Sequence, residues 1–197
     1  MATDLDGTFL GGRQADRLTL YRTIRSRSDI RLVYVTGRAV ESVIPLLDDP
    51  LIPDPQWVIA DVGATVVERD GLRPVAPLQW QIDSRWIGVV AVLDALEGVE
   101  GLVRQPVPQE RRVSFFTESE QVIAEVRGRL EHLPVDVLHS GGRYLDVLPS
   151  GVSKGSTLKA LVDHLKVDPD EVLVAGDTLN DLSLFETGFP GVVVGQS

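Results

Sequence analysis

Glu171-Val172-Leu173-Val174-Ala175-Gly176-Asp177-Thr178-Leu179-Asn180-Asp181 is an apolar run that opens into a loop carrying two carboxylates. A short apolar run closed by glycine reads as a buried strand, and a helix over 180–187 and the strand Gly191-Val192-Val193-Val194 are expected to follow. Upstream, Lys154 to Lys166 sets Leu158, Leu161, Val162 and Leu165 on one helical face. The amino-terminal part repeats the theme. A helix over 15–28, with Leu18, Tyr21 and Ile24 at helical spacing, precedes a strand over 31–36. A helix over 38–48 precedes the strand Trp57-Val58-Ile59-Ala60, and a hairpin is expected over 65–74. Strands alternating with helices predict an α/β fold, a Rossmann-like, doubly wound parallel sheet whose ligand site lies beyond the carboxyl ends of the strands.

Between about 76 and 151 the order changes. A helix near 84–97, strands near 102–105 and 111–117, a helix near 119–132 and strands near 135–139 and 143–148 across Ser140-Gly141-Gly142 predict an α+β insertion in the order αββαββ. This gives a core of residues 1–75 and 152–197 and a cap of residues 76–151, with two helices on one face of the cap sheet.

Four short segments, each at a strand end or helix start, carry the chemistry. In Asp4-Leu5-Asp6-Gly7-Thr8, residues two apart on an extended chain point the same way, so Asp4 and Asp6 share one side and invite a divalent cation. Val35-Thr36-Gly37-Arg38 offers a hydroxyl and unhindered N–H groups at a strand-to-helix turn, suited to a phosphate oxygen. Lys154 opens a helix, where a cation is unfavourable unless an anion is present. Lysine is also scarce, at 154, 159 and 166 only, against sixteen arginines. Asp177 and Asp181 read as oxygen ligands for Mg²⁺. A calcium EF-hand beginning at Asp4 would need Gly at 9 and Glu at 15, but those positions hold Phe9 and Ala15.

In order and spacing these segments resemble the four motifs of the haloacid dehalogenase (HAD) superfamily of phosphatases. The insertion is similar to the cap of subfamily IIB, which includes sucrose-phosphate phosphatases and Cof-type sugar phosphatases. Ile59-Ala60-Asp61-Val62-Gly63-Ala64 looks closer to the sucrose-phosphatase branch than to the Asn-Gly form of the Cof branch. The resemblance implies that Asp4 attacks phosphorus and that Asp6 protonates the leaving group and then activates water. It implies a Mg²⁺ ion held by the Asp4 carboxylate, the Asp6 carbonyl, Asp177 and Asp181. Thr36, Gly37, Arg38, Lys154 and Asn180 are implied phosphate-binding residues. The implied substrate is a small sugar phosphate, such as sucrose, trehalose or glucosylglycerol phosphate. A phosphomutase with the same site is an alternative, and so is a phosphatase or regulatory domain trimmed from a bifunctional synthase–phosphatase. A glycosyltransferase, fused or separate, is the partner expected.

In the cap, Arg112, His139, Arg143 and Tyr144 lie on or beside expected strands, and His139 and Arg143 are the specificity candidates. Trp57, Trp80 and Trp86 are read as core or interface residues rather than a sugar platform. With 197 residues, 43% hydrophobic, the chain is long enough for one core with a modest insertion. A net charge of −10 with no basic block argues against nucleic acid. The absence of cysteine excludes thiol chemistry, and no apolar run reaches membrane-spanning length, so a cytoplasmic location is expected. Only three residues precede Asp4, few for a central strand, which raises the hypothesis that the chain belongs to something longer.

Overall fold

The computed structural model describes residues 1–177 and 179–195. Five parallel strands form most of the main sheet: β1 (Ala2–Thr3), β2 (Val33–Val35), β3 (Trp57–Ala60), β9 (Val174–Gly176) and β10 (Gly191–Val193). β4 (Thr65–Glu68) adds an antiparallel edge, giving the order β10-β9-β1-β2-β3-β4. β1 is central despite its two residues, because its neighbours supply every partner. Val33 N–H bonds the Met1 carbonyl, Ala2 N–H bonds Leu173 and Asp4 N–H bonds Ala175. The strand order runs outward in both directions from the β1–β9 boundary, so a crevice opens there at the carboxyl ends of the strands.

The helices follow the expected periodicities: α1 (Gln14–Arg25), α2 (Val40–Leu47), α6 (Lys154–Leu165) and α7 (Leu182–Phe185). α6 begins with a capping box, in which the Ser153 hydroxyl accepts from Ser156 N–H while Ser153 N–H donates to the Ser156 hydroxyl. Gly155 lets this helix start against α7, since a Cβ there would fall 1.8 Å from the Ser183 carbonyl oxygen.

The insertion contains α4 (Val89–Ala95) and α5 (Glu120–Leu130) over a four-stranded antiparallel sheet ordered β5-β6-β8-β7. These strands are β5 (Val103–Arg104), β6 (Val113–Phe116), β7 (Val135–Ser140) and β8 (Tyr144–Pro149). Val113, Phe115, Leu145 and Val147 bury one sheet face against Val92, Ile123, Val126 and Leu130 of the two helices. The alternate residues Ser114, Tyr144 and Asp146 then face the main domain.

The helix expected near 84–97 is present but shorter, as α4, and a further helix that was not expected precedes it. α3 (Ala76–Asp83) starts with Pro77 in its first turn, and α4 starts only after Gly88, whose φ of 93° breaks any continuous helix. Leu78 and Ile82 of α3 join the same buried cluster as Leu158 and Leu161 of α6. Gln79 explains much of that docking. Its amide accepts from Val66 N–H and donates to the Ala64 carbonyl, pairing with the free edge of β4 as a strand would. Trp80, on the opposite side, is 71% exposed. Among the described residues, no helix is long and apolar enough to cross a membrane.

Candidate active site at the β1–β9 crevice

Asp4 directly follows β1 with its side chain almost wholly buried, and from Leu5 the chain winds rather than running extended. Gly7, with φ of 86°, makes this possible, and a Cβ there would strike the Asp177 carboxylate at 2.0 Å. The winding separates the two aspartates that an extended chain would have aligned. Asp4 points into the crevice floor, whereas the Asp6 carboxylate is 59% exposed and gripped by Arg38. Arg38 Nε donates to Asp6 Oδ2 at 2.8 Å and Nη2 to Oδ1 at 2.5 Å. Both residues still line the same cleft.

Lys154, the first residue of α6, is completely buried. Its Nζ donates to Asp4 Oδ1 at 2.8 Å and to Asp181 Oδ1 at 2.7 Å. Asp177 N–H donates to Asp181 Oδ2, and the Thr8 hydroxyl donates to Asp177 Oδ1. One oxygen from each of Asp4, Asp177 and Asp181 lies within 4.8 Å of the others. Three carboxylates around one ammonium leave surplus negative charge. Burial pushes the Asp4 carboxyl up to about 6, with Lys154 pulling it down and Asp181 pushing it further up. Desolvation also raises Asp177. Hard oxygen donors with excess negative charge and one partly exposed member suit Mg²⁺, which accepts a few carboxylates and keeps water in its remaining positions.

Thr36 is buried, and its hydroxyl accepts from Arg38 N–H at 3.1 Å, so it shapes the turn after β2. Gly37 above it faces Asn180 and Val62. The turn following β3 is tied to this loop by Asp61 N–H to the Arg38 carbonyl and Val62 N–H to the Thr36 carbonyl.

The cap roofs the crevice. β7 packs against the turn at Leu179–Asp181, and a cleft of about 370 Å³ is enclosed between Asp4, Asp6, Gly37, Arg38 and Asn180 below and Gln105, Arg112, Ser140, Tyr144 and Asp146 above. A larger cavity of about 460 Å³ lies around Met1, Trp57 and Leu161, and none of the motif residues lines it. Chemistry, not size, locates the site.

Of the two cap candidates, Arg143 is exposed and stacks its guanidinium 4.6 Å from the centre of the Phe116 ring. His139 pairs opposite Leu145, which places it on the helix-covered face of the cap sheet, away from the cleft. Arg112, Asp146, Ser114 and Asp61 form a buried polar group that sequence reasoning did not assemble. The one signal was Asp146, a carboxylate inside the apolar run Leu145-Asp146-Val147-Leu148.

The carboxylates at the β1–β9 boundary, the lysine beneath them and the roofing sheet together define the HAD class of phosphatases. Within it, the family described as Sucrose-6F-phosphate phosphohydrolase matches residues 1–197, and the chain belongs to that family. The sucrose-phosphatase from Synechocystis sp. PCC6803, solved with sucrose and phosphate, superposes with a TM-score of 0.85 at 28% identity, covering 99% of this chain and 82% of that one. A glucosylglycerol-phosphate synthase of Pseudomonas anguilliseptica is 54% identical over the whole of this chain, which spans only 26% of that relative. A mannosylfructose-phosphate phosphatase of Agrobacterium fabrum is 28% identical, with 100% of this chain and 83% of the relative covered.

Proposed function

We propose that the chain hydrolyses a small sugar phosphate through a phosphoryl group carried transiently on Asp4. The observation that carries this reading is the buried Asp4–Lys154–Asp181 arrangement at the sheet crevice, which holds a carboxylate in place and aims it into a roofed cleft. Asp4 Oδ attacks phosphorus as the sugar alkoxide leaves, and Asp6, across the cleft mouth, gives that alkoxide a proton. Asp6 then takes a proton from the water that opens the acyl phosphate. Both Asp6 oxygens accept from Arg38, so this exchange requires the guanidinium to swing from Asp6 to the incoming phosphate, which frees the carboxyl to carry the proton. Lys154 Nζ, the Gly37 loop and Asn180 supply positive charge and donors for the non-reacting phosphate oxygens. Asp4, Asp177 and Asp181, with the Asp6 carbonyl, would hold Mg²⁺, which supplies neutralisation of the charge repelling nucleophile and phosphate. The cap sheet carries the sugar-facing surface and excludes water; its division from the core near residues 76–151 belongs to this reading.

Glucosylglycerol phosphate is the substrate we favour, because 54% identity extends along the entire chain to a relative named for that compound. The same relative's greater length supports fusion to, or pairing with, a glycosyltransferase activity. Phosphate release from glucosylglycerol, sucrose and mannosylfructose phosphates, each with and without Mg²⁺, tests this. The highest kcat/KM is expected on glucosylglycerol phosphate with Mg²⁺ present, and turnover of none of the three would refute the reading.

A further inference from the structure

A second buried charge cluster lies where the cap meets the loop after β3. Arg112, 5% exposed, reaches Asp146 Oδ1 on the neighbouring cap strand through Nη1 at 3.1 Å. Its Nε lies 3.1 Å from Asp61 Oδ1, on the main domain. Ser114 donates its hydroxyl to Asp146 Oδ1, and Thr65 donates to Asp61 Oδ2 at 2.7 Å. Both acids are therefore oriented from behind, and the arginine spans the gap between the two parts of the molecule. Its Nε meets Asp61 as an ion contact without an aligned hydrogen bond.

The main-domain end of this bridge is not an ordinary surface loop. Asp61 and Val62 have φ of 52° and 59°, which costs energy for residues other than glycine, most of all for a β-branched valine. They hold that shape while their N–H groups bond the carbonyls of Arg38 and Thr36, the loop expected to grip phosphate. At the cap end, Arg112 and Asp146 line the cleft beside Tyr144. A continuous chain of contacts thus runs from the cap's cleft-facing surface to the loop after β2.

We propose that Arg112 is a positioning residue that ties the cap sheet to the phosphate loop through Asp61, fixing the span between sugar and phosphate ends of the cleft and so selecting sugar phosphates over small aryl phosphates. This rests on the phosphatase reading above. Aryl phosphates occupy only the phosphate end and need the span less. A buried pair broken at one side leaves an uncompensated charge, and in a closing lid that weakens the closed state.

The test compares kcat/KM on the preferred sugar phosphate and on p-nitrophenyl phosphate for wild type, Arg112→Met, Arg112→Lys, Asp61→Asn and the Arg112→Met/Asp61→Asn double variant. The single variants should lose roughly 30-fold on the sugar phosphate, the scale of one broken buried charge pair, mostly through KM. The loss on the aryl phosphate should be about tenfold smaller, and Arg112→Lys should recover part of the difference. The double variant should lose no more than the worse single, because the two residues act as one unit. Parallel losses on both esters, or losses that multiply in the double variant, would overturn the proposal. If Arg112→Met does not fold, Arg112→Gln, which also removes the charge, takes its place in the cycle with Asp61→Asn. Wild type inactive on both esters would instead remove the phosphatase reading.

Discussion

Two buried charge clusters divide the work of this molecule, and they differ in balance. At the β1–β9 crevice three carboxylates surround one lysine. Where the cap meets the main domain, two carboxylates share one arginine, and both acids have hydroxyl donors behind them. The first is left with room for a further cation and with tension that a ligand relieves. The second joins two parts of the molecule, with Arg112 hydrogen-bonded to Asp146 on the cap and in ion contact with Asp61 on the main domain. The first carries two more acids than bases and the second one more, and we read the larger surplus as the place for chemistry and the arginine bridge as mechanical support.

The difference can be broken most severely at Lys154. Replacing it with methionine leaves Asp4 and Asp181 buried side by side, and unfolding stability should fall by about 3–5 kcal/mol, measured by urea denaturation without metal. A loss below about 1 kcal/mol would mean that the crevice is far wetter than its geometry implies.

Next in size, Mg²⁺ should stabilise the protein by filling the unbalanced cluster. At a hundred times its Kd the gain is about 2.7 kcal/mol, roughly 5–10 °C in melting temperature for a chain of this length, and EDTA should reverse it. Asp177→Asn should abolish most of that shift, while Asp146→Asn should leave it in place.

The pH dependence sharpens the contrast further. Burial raises Asp4 in the folded state to about 6 from an ordinary 3.8, so the folded protein holds this proton more tightly than the unfolded chain does. Its contribution to metal-free stability is therefore greatest below pH 3.8, falls as pH rises towards about 6, and is level above that. The drop is at most about 3 kcal/mol by the shift alone. Asp4→Asn should flatten this slope and make the metal-free protein more stable at pH 7, as seen in denaturation curves across that range. Smallest of all, Ser114→Ala should cost about 1–3 kcal/mol by removing one hydroxyl bond to a buried carboxylate, with catalysis of p-nitrophenyl phosphate less affected than that of the sugar phosphate.

The crevice cluster was legible in the sequence because each member sits in a short local pattern. An apolar strand ending in an aspartate, or a helix opening on a lone lysine, announces itself within a few residues. The cap cluster was not, since Asp61, Arg112 and Asp146 are far apart in the chain and meet only through the docking of two sheets. His139 shows what one more step of periodicity would have supplied. It shares parity with Val135 and Val137, so the alternation of a strand already assigned it to the apolar, helix-covered face. The divergence of Asp4 from Asp6 depended on the winding after Leu5, which Gly7 permits but does not announce. α3 was missed because its docking relies on Gln79 pairing with a strand edge, a contact invisible to hydrophobic pattern.

The most direct measurement is to stop turnover in acid with Mg²⁺ and substrate present, digest the protein and locate the phosphoryl group by mass spectrometry. A hydroxylamine-labile phosphoryl group on the peptide containing Asp4, absent from Asp4→Asn, is the expected result. Full-rate phosphate release with Asp4 never modified would contradict it.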